Sequence, residues 1–355
     1  MVRAAGCRVW DREGREYTDF IMALGAVALG YGHPAVNRAA EDAVAMGVVG
    51  SLAPVLEEEL AAELSGALPW LERVRFLKTG AEAVAAAVRL ARVATRRELV
   101  LGCGYHGWLD WCQRAEGVPV STRDLYAELP FNDSERSREM IRSAASRLAA
   151  VVVEPVVVEE PRVEWLATLR EETERAGVVL IFDEIKTAFR LAVGGAAERY
   201  GVRPDLAVLG KALGNGFPIA AVGGRAEVME GASRTWISST LATELVSLAA
   251  ARATLGVMAA ERVPERLGSI GDRLLAGLRR LHERHPNLVV GVGGVPEMCF
   301  LHYADEEVSR AVAAGCARRG VLFKRTAYNF VSLAHDDARI DEALGVLAEI
   351  LGSLR

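Results

Sequence analysis

An acidic residue and a lysine follow two apolar runs near the centre of the chain. Residues 178–182 form a continuous apolar run that ends at Asp183, and residues 206–209 form a second run that ends at Gly210 and Lys211. Such runs are typical of strands buried on both faces of a parallel sheet. Because open α/β sheets bind ligands at the carboxyl ends of their strands, we expect an acid and an amine at one ligand-binding edge.

Lysine is rare in this chain. Of its 42 lysine and arginine residues only four are lysines, at positions 78, 186, 211 and 324. Lysine differs from arginine because it can lose its proton and form a Schiff base with a carbonyl group. An isolated lysine is more often a surface charge or a helix cap. The Asp183 strand end and the glycines around Lys211 nevertheless favour a chemical role for Lys211.

Composition limits the class of protein. The 355 residues can form two domains with a large core, and 51% hydrophobic with 25% charged residues is typical of a globular protein. A net charge of −5 gives no reason to expect nucleic acid. The N-terminus lacks the apolar run of a signal peptide, and the most apolar interval, 148–158, is too short to span a bilayer. The five cysteines are scattered, which predicts reduced thiols in a cytoplasmic protein without a metal site.

The order of the elements predicts the fold class. Apolar strand candidates alternate with helical segments as far as residue 260, which predicts an α/β domain with a mainly parallel sheet between helices. The strands are expected at 73–77, 98–101, 149–153, 178–182, 206–209 and 220–223. We predict an N-terminal segment over 1–38 with a hairpin at 8–20, a large domain over 39–260, and a smaller α+β domain over 261–355. The Ser238–Thr240 cluster is interpreted as the cap of a helix over 243–259.

Two glycine-containing turns could bind phosphate. Residues 78–80 connect a strand to a helix, and the free N–H groups of a helix N-terminus favour a phosphate there. Gly102, Gly104 and Gly107 match the G-x-G-x-x-G pattern of dinucleotide-binding proteins, with Asp124 further on. This pattern makes a nicotinamide-dependent oxidoreductase the rival hypothesis. Tyr105 and His106 argue against it, because they place bulk where backbone would have to approach a pyrophosphate.

Taken together, these segments resemble the class III aminotransferases, pyridoxal-phosphate enzymes of fold type I, and within them the glutamate-1-semialdehyde aminomutase branch. The resemblance covers nearly the whole chain and keeps the family's order of motifs. The segments that carry it are DFIMALGAVALGYGHPAV, FLKTGAEAVAAAVRLAR, CGYHGWLDW, VVEPV, LIFDEIKTAFR, PDLAVLGKALGNGFPIAAVGGR, SST and FVSLAHDDARIDEAL.

The resemblance implies a role for each residue of the predicted site. Lys211 would form the Schiff base with pyridoxal 5'-phosphate and then move a proton, and Asp183 would keep the pyridine nitrogen protonated so that the ring accepts electrons. Ile185 would pack under the ring and Tyr105 would stack on its other side. The resemblance also places His106 among the cofactor-binding residues.

The phosphate of the cofactor would be bound by two chains. Gly80 and Ala81 would donate backbone N–H groups to it, while Thr240 would reach the phosphate of the neighbouring subunit. The resemblance therefore implies a homodimer with shared active sites, which acts on small molecules. The family usually has a hydroxyl residue at the position of Ala81, so one side-chain contact is lost here.

The reaction type is left open by the resemblance. The chain begins almost at the first hairpin, whereas family members usually carry an N-terminal segment that covers the substrate. We therefore expect an open site and intermolecular, ping-pong amine transfer from an amino acid to a carbonyl compound, in a biosynthetic pathway. The alternatives are an aminomutase, a decarboxylase or an epimerase, and, from another class, a catalytically silent dimeric binding protein.

The resemblance assigns no role to two further sets of charged residues. Lys186 lies at a position that varies in the family, and we interpret it as a solvated charge at a strand end rather than a catalytic group. A substrate carboxylate would need an arginine, and Arg190 and Arg325 are the two guesses among 38 arginines (42 minus four lysines).

Overall fold

The computed structural model describes residues 1–354. Its strands are β1 (Arg3–Ala5), β2 (Arg8–Trp10), β3 (Glu16–Asp19), β4 (Arg73–Leu77), β5 (Leu99–Cys103), β6 (Tyr126–Glu128), β7 (Leu148–Val153), β8 (Val179–Asp183), β9 (Leu206–Leu209), β10 (Ala220–Gly224), β11 (Val289–Val295), β12 (Met298–Tyr303), β13 (Val321–Leu322) and β14 (Asn329–Phe330).

The helices alternate with these strands. They are α1 (Met22–Gly25), α2 (Pro34–Ala45), α3 (Val55–Ala67), α4 (Gly80–Thr95), α5 (Val120–Arg123), α6 (Ser134–Ala144), α7 (Val163–Ala176), α8 (Gly195–Tyr200), α9 (Ala226–Met229), α10 (Leu245–Ala260), α11 (Val263–Arg284), α12 (Glu306–Arg318) and α13 (Asp337–Ser353), with short 3₁₀ helices at Asp110–Cys112, Lys211–Gly214 and Glu230–Ser233.

Seven strands form the largest sheet, in the order β4-β10-β9-β8-β7-β5-β6. The pairs from β9 through β8, β7 and β5 to β6 are parallel, and β10 runs antiparallel to both β9 and β4. Every residue of β7 and β8 is buried, as expected for strands covered on both faces. The predicted mainly parallel α/β sheet is confirmed.

Alternate residues of the central strands contribute to two separate apolar clusters. Val152 and Ile181 pack with α4 on one face of the sheet. Val151 and Leu180 pack with α6 and α7 on the other face, together with Phe182. Because successive side chains of a strand point to opposite faces, an uninterrupted apolar run such as LAAVVV supplies both clusters. The predicted arrangement of helices on both faces is confirmed.

The C-terminal part of the chain has an antiparallel sheet of its own. Its strand order is β11-β12-β14, and α11 packs against β11 and β12, while α13 packs against α11 and α12. A further sheet, β1-β2-β3-β13, contains the predicted N-terminal hairpin. Its strand β13 comes from the C-terminal part and pairs in parallel with β3. The predicted domain boundaries stay predictions.

Two local details concern the backbone of α1 and the cap of α10. In α1, Met22, Ala23 and Leu24 have φ angles of 46°, 50° and 57°, so this element is a left-handed turn. The cap of α10 was predicted wrongly, because Glu244 rather than the Ser238–Thr240 cluster occupies it. The Glu244 carboxylate accepts the N–H groups of Val246 and Ser247 at 2.7 and 3.0 Å, a favourable position for a negative charge.

The helices and the cysteines of the structure bear on the class of protein. Within residues 1–354, no helix has the length and apolar character needed to cross a membrane. The five cysteines are buried free thiols, as predicted from their spacing.

Candidate active site

A cavity of about 450 Å³ lies at the carboxyl ends of β5, β8 and β9. It brings together most of the site residues predicted from the sequence. The lining residues are Ala26, Lys78, Thr79, Gly80, Ala81, Tyr105, His106, Gly107, Trp108, Glu154, Asp183, Ile185, Lys211, Gly216, Phe217, Pro218 and Ile219. Among the predicted site residues, Thr240 alone is not part of this lining.

Asp183 is the last residue of β8 and is held by two neighbours. One carboxylate oxygen, Oδ2, lies 2.9 Å from Nδ1 of His106, and the other, Oδ1, accepts the N–H of Ile185 at 3.3 Å. Both side chains of the Asp183–His106 pair are buried. The imidazole lies near-parallel to the Trp111 ring, and its second nitrogen, Nε2, is buried without a partner among the described residues. The pair fixes the direction in which the carboxylate faces the cavity.

Lys211 follows β9 and has an unusual backbone and an unusual pKa. Its φ angle is 45°, in the left-handed region, directly after the extended Gly210. Burial, with a smaller contribution from the positive charge of Lys186, lowers the pKa of the Lys211 amine from its ordinary 10.5 to about 8. A substantial fraction of the amine is therefore neutral near pH 8, which is the form that can act as a nucleophile.

The turn before α4 leaves two N–H groups available to a ligand. A helix begins with four N–H groups that have no partner within the helix. Here a capping box satisfies two of them, because Glu82 N–H donates to Thr79 Oγ1 and Thr79 N–H donates to the Glu82 carboxylate. The other two belong to Gly80 and Ala81, which line the cavity. They lie where the sequence predicts a phosphate site, and that role stays a prediction.

Close packing holds this turn beside the β8 strand end. A Cβ atom on Gly80 would lie 2.5 Å from Cδ1 of Ile185, so any larger residue at this position would require the end of the Ile185 side chain to shift. Ile185 is itself part of the cavity wall, two residues after Asp183. Gly80, Ile185 and Asp183 therefore line the same cavity.

Lys186 is not the solvated charge predicted from the sequence. Its side chain is 8% exposed, and its Nζ lies 3.0 Å from Oε1 of Glu154, which is equally buried. A partial signal for this pair was present, because Glu154 directly follows a buried strand and precedes Pro155. A second pair was not predicted: Lys78, in the cavity wall, lies 2.6 Å from the carboxylate of Glu244.

Neither Arg190 nor Arg325, the two arginines suggested for a substrate carboxylate, lines the cavity. Arg190 is fully buried and donates to the carbonyl oxygens of Gly25, Val331 and Glu297 at 2.9, 2.8 and 3.3 Å. Its role is therefore to join three distant segments. Arg325 is exposed and contacts Glu306 at 3.4 Å. Within residues 1–354, the cationic side chains that line the cavity are the two lysines Lys78 and Lys211.

The three glycines of the G-x-G-x-x-G pattern each approach a side chain. A Cβ atom would lie 2.5 Å from the Tyr126 ring at Gly102, 2.6 Å from the Glu154 carboxylate at Gly104, and 2.6 Å from Cβ of Ala81 at Gly107. The next element is the 3₁₀ helix Asp110–Cys112 rather than a long helix. The structure thus gives no support to the dinucleotide-binding alternative.

Known proteins are similar to this chain in sequence and in fold. The family model for class-III aminotransferases matches residues 1–351. The chain belongs to the class-III aminotransferase family. One relative, glutamate-1-semialdehyde 2,1-aminomutase of Thermomicrobium roseum, is 34% identical over 99% of this chain and 90% of its own length.

Solved structures of PLP proteins have the same fold as this class-III aminotransferase. The FumI protein of Sphingopyxis sp. MTA144, solved in its PLP internal aldimine form, superimposes with a TM-score of 0.94 at 27% identity, over 99% of this chain and 88% of that one. A transaminase with PLP bound gives a TM-score of 0.93 at 27% identity, over 98% and 89% of the two chains. The predicted fold type I and the predicted cofactor, pyridoxal 5'-phosphate, are confirmed.

The residues present in this aminotransferase fit that cofactor. The two free N–H groups of Gly80 and Ala81 suit its phosphate, the Asp183 carboxylate suits a protonated pyridine nitrogen, and the Lys211 amine suits its aldehyde. Tyr105 lines the cavity but its side chain is 67% exposed, so its stacking on the ring stays a prediction. Thr240 is exposed and lies outside the cavity of its own chain.

Proposed function

We propose that this class-III aminotransferase moves an amino group from an amino acid donor to a separate carbonyl acceptor. The observation that carries the proposal is the convergence of Lys211, Asp183 and the free N–H groups of Gly80 and Ala81 on one cavity. An amine of lowered pKa, a buried carboxylate and a phosphate cradle are the three parts that such a reaction needs. The intact amine and carboxylate argue against a catalytically silent binding protein.

Each side chain has a separate task in the proposed reaction. When bound, pyridoxal phosphate supplies an aldehyde for the substrate amine and a ring that accepts the electron pair of the Cα–H bond. Lys211 holds the cofactor covalently and, once released, carries the proton to and from the substrate Cα. Asp183 stabilises positive charge at the ring nitrogen, and His106 keeps its carboxylate in that orientation through the 2.9 Å contact.

The cavity wall suits exchange of one substrate for another. The side chains of Tyr105 and Trp108 line the cavity and are still 67% and 74% exposed in the single chain. Phe217, Pro218 and Ile219 form an apolar side of the wall. An accessible, partly apolar wall admits a donor, releases it as a keto acid and then admits a different acceptor. This is the sequence of events in a ping-pong reaction.

We also propose a homodimer in which Thr240 completes the partner's phosphate site. Exposed apolar side chains concentrate near Thr240, with Trp236 at 82% and Leu241 at 50% exposure. Residues 44–52 add five more, Val44, Met46, Val48, Val49 and Leu52, and a hydrogen bond from Leu245 N–H to the Val48 carbonyl joins the two segments. Exposed apolar patches of this kind mark interaction surfaces. The predicted cytoplasmic location and biosynthetic role stay predictions.

A second candidate function is an intramolecular aminomutase. It is favoured by the similarity to the Thermomicrobium roseum protein, whose name is glutamate-1-semialdehyde 2,1-aminomutase. An aminomutase would use the same lysine and carboxylate, so the parts of the site do not distinguish the two reactions. The difference lies in whether a keto acid leaves the enzyme.

The test is to supply an amino donor alone and to count the keto acid per active site. Transamination predicts about one equivalent of keto acid per site, with the enzyme left in its amine form, and further turnover only when a carbonyl acceptor is added. Conversion of a single substrate to its positional isomer, without release of keto acid, would support the aminomutase instead. A parallel screen of donors and acceptors by absorbance would identify the substrates.

A further inference from the structure

A buried ion pair borders the cavity and is not used by the proposed reaction. Lys186 Nζ lies 3.0 Å from Oε1 of Glu154, and both side chains are 8% exposed. The same ammonium group lies 4.2 Å from the centre of the Tyr328 ring. Glu154 belongs to the cavity wall. Ion pairs buried this deeply do not increase stability as a rule, because desolvation of two charges offsets their attraction.

Glu154 holds the turn that carries the cofactor-binding aromatic residue. Its second oxygen, Oε2, accepts the N–H of Tyr105 at 2.8 Å. A Cβ atom on Gly104 would lie 2.6 Å from that oxygen, so the turn fits closely around the carboxylate. One oxygen of Glu154 is therefore bound to Lys186 and the other to the turn of Tyr105 and His106. A movement of Lys186 would be transmitted to that turn.

The positive charge of Lys186 also affects the pKa of Lys211. Burial alone would lower the pKa of Lys186, but the Glu154 carboxylate and Tyr328 outweigh it and the pKa of Lys186 is raised. Lys186 is therefore charged over the whole working range of pH. The charged groups that act on Lys211 are Lys186 and Arg190, which lower its pKa, and Glu154 and Asp183, which raise it. Lys186 has the largest effect of the four.

We propose that Lys186 is a positioning residue of the cofactor site. Its ammonium group fixes the Glu154 carboxylate, and through it the Tyr105 turn, while its permanent positive charge acts on the Lys211 amine. This role deepens the proposed function and rests on it, because it concerns the same lysine and the same cofactor. A neutral side chain of similar size would fill the space but would leave the Glu154 charge unbalanced near Lys211.

The test uses the visible absorbance of the cofactor bound to the complete protein. Absorbance is followed against pH for the wild type, Lys186→Met, Lys186→Arg, Glu154→Gln and the double variant Lys186→Met/Glu154→Gln. Lys186→Met should raise the pH midpoint of the cofactor–lysine linkage by about one unit, the lower end of the range for a nearby charge. Glu154→Gln should lower the midpoint, because Lys186 then acts unopposed.

The matched variants separate charge from packing. Lys186→Arg keeps the charge and should keep the wild-type midpoint, and the double variant, which removes both charges, should return most of the way to it. If Lys186→Met lost thermal stability but kept the wild-type cofactor affinity and midpoint, the role would be structural and the proposal wrong.

Two further outcomes are decisive. If Lys186→Met does not fold, Glu154→Gln decides, and an unchanged or raised midpoint in that variant overturns the proposal. A wild-type protein without a visible cofactor band would contradict the proposed function itself. Unchanged midpoints in a protein that shows the band contradict only the role of Lys186.

Discussion

Two lysines follow neighbouring strands of the sheet and have opposite surroundings. Lys186 comes three residues after β8, where Glu154 and Tyr328 outweigh the effect of burial and raise its pKa. Lys211 comes two residues after β9 and forms no salt bridge with any residue that the structure describes. Burial, with the charge of Lys186, lowers the pKa of Lys211 to about 8.

The surroundings of Lys186 and Lys211 shift the pKa values of the two lysines in opposite directions. Both lysines are largely removed from solvent at the same edge of the sheet. Lysine is rare in this chain, in which most cationic residues are arginines. A nearby carboxylate keeps Lys186 charged. Lys211 forms no salt bridge with a carboxylate in the described part of the chain, so its amine loses a proton more readily. Residue type alone does not decide between an ionic anchor and a nucleophile.

The sharpest test of this contrast is the removal of the Lys211 amine. Lys211→Ala should reduce turnover by at least about a thousandfold, since a positioned proton-transfer group contributes up to 10⁴-fold and the covalent link to the cofactor is also lost. Borohydride reduction of the wild type, followed by peptide mass mapping, should place the cofactor mass on Lys211. An adduct on Lys186 or Lys78 would reverse the assignment of the two lysines.

Replacement of Asp183 should have the next largest effect. Asp183→Asn keeps the shape of the side chain but removes the negative charge, so turnover should fall by about a hundredfold, the scale of a lost electrostatic contact in catalysis. The matched control is Glu184→Gln. Glu184 is the adjacent buried carboxylate, but it accepts the N–H groups of Ala196 and Ala197 and does not line the cavity.

The two variants should separate chemistry from stability. Glu184→Gln should lower thermal stability, because a buried hydrogen-bond acceptor is altered, while turnover per folded site is retained. Near wild-type turnover in Asp183→Asn, measured with saturating cofactor, would remove Asp183 from the mechanism.

The lowered pKa of Lys211 predicts a pH dependence for cofactor uptake. Only the neutral amine attacks the aldehyde, and the neutral fraction falls about tenfold for each pH unit below a pKa of about 8. Stopped-flow mixing of cofactor-free protein with pyridoxal phosphate should therefore show a rate that rises up to about pH 8 and then levels off. A rate that still rises tenfold per unit above pH 9 would mean that Lys211 behaves like an exposed lysine.

The smallest expected effect concerns the subunit contact. Thr240→Ala should weaken cofactor binding by about 1–2 kcal/mol, the scale of a hydrogen bond to a charged group. Ser238→Ala removes a nearby exposed hydroxyl and is the matched control. If the hydroxyl of Thr240 serves the partner's site, cofactor affinity should also fall on dilution below the dimer dissociation constant. Full affinity in a monomer would exclude a shared site.

The central part of the site could be predicted because its signals are local. The strands β8 and β9 are continuous apolar runs, each followed by one residue with distinctive chemistry, so Asp183 and Lys211 were placed correctly at one edge. The turn before α4 was predicted for the same reason, from a glycine directly ahead of a helical pattern.

The errors concern contacts between residues far apart in sequence. Lys186 was predicted to be solvated because its partner Glu154 lies at the end of another strand, and nothing near Lys186 in the sequence indicates the pair. The His106–Asp183 contact spans 77 positions. The cap of α10 was missed for a different reason: Ser and Thr are the more common caps, but a carboxylate directly before the helix took that position.

The backbone conformation of Lys211 lowers the stability of the protein, although the proposed activity depends on this residue. Its left-handed φ of 45° is a conformation that costs a side-chain-bearing residue on the order of 1–3 kcal/mol, and the burial of its amine adds to the cost. Glycine would adopt the same conformation without strain. At this one position, the residue that would suit the folded chain best is one that cannot perform the reaction, and selection for thermal stability would act directly against activity.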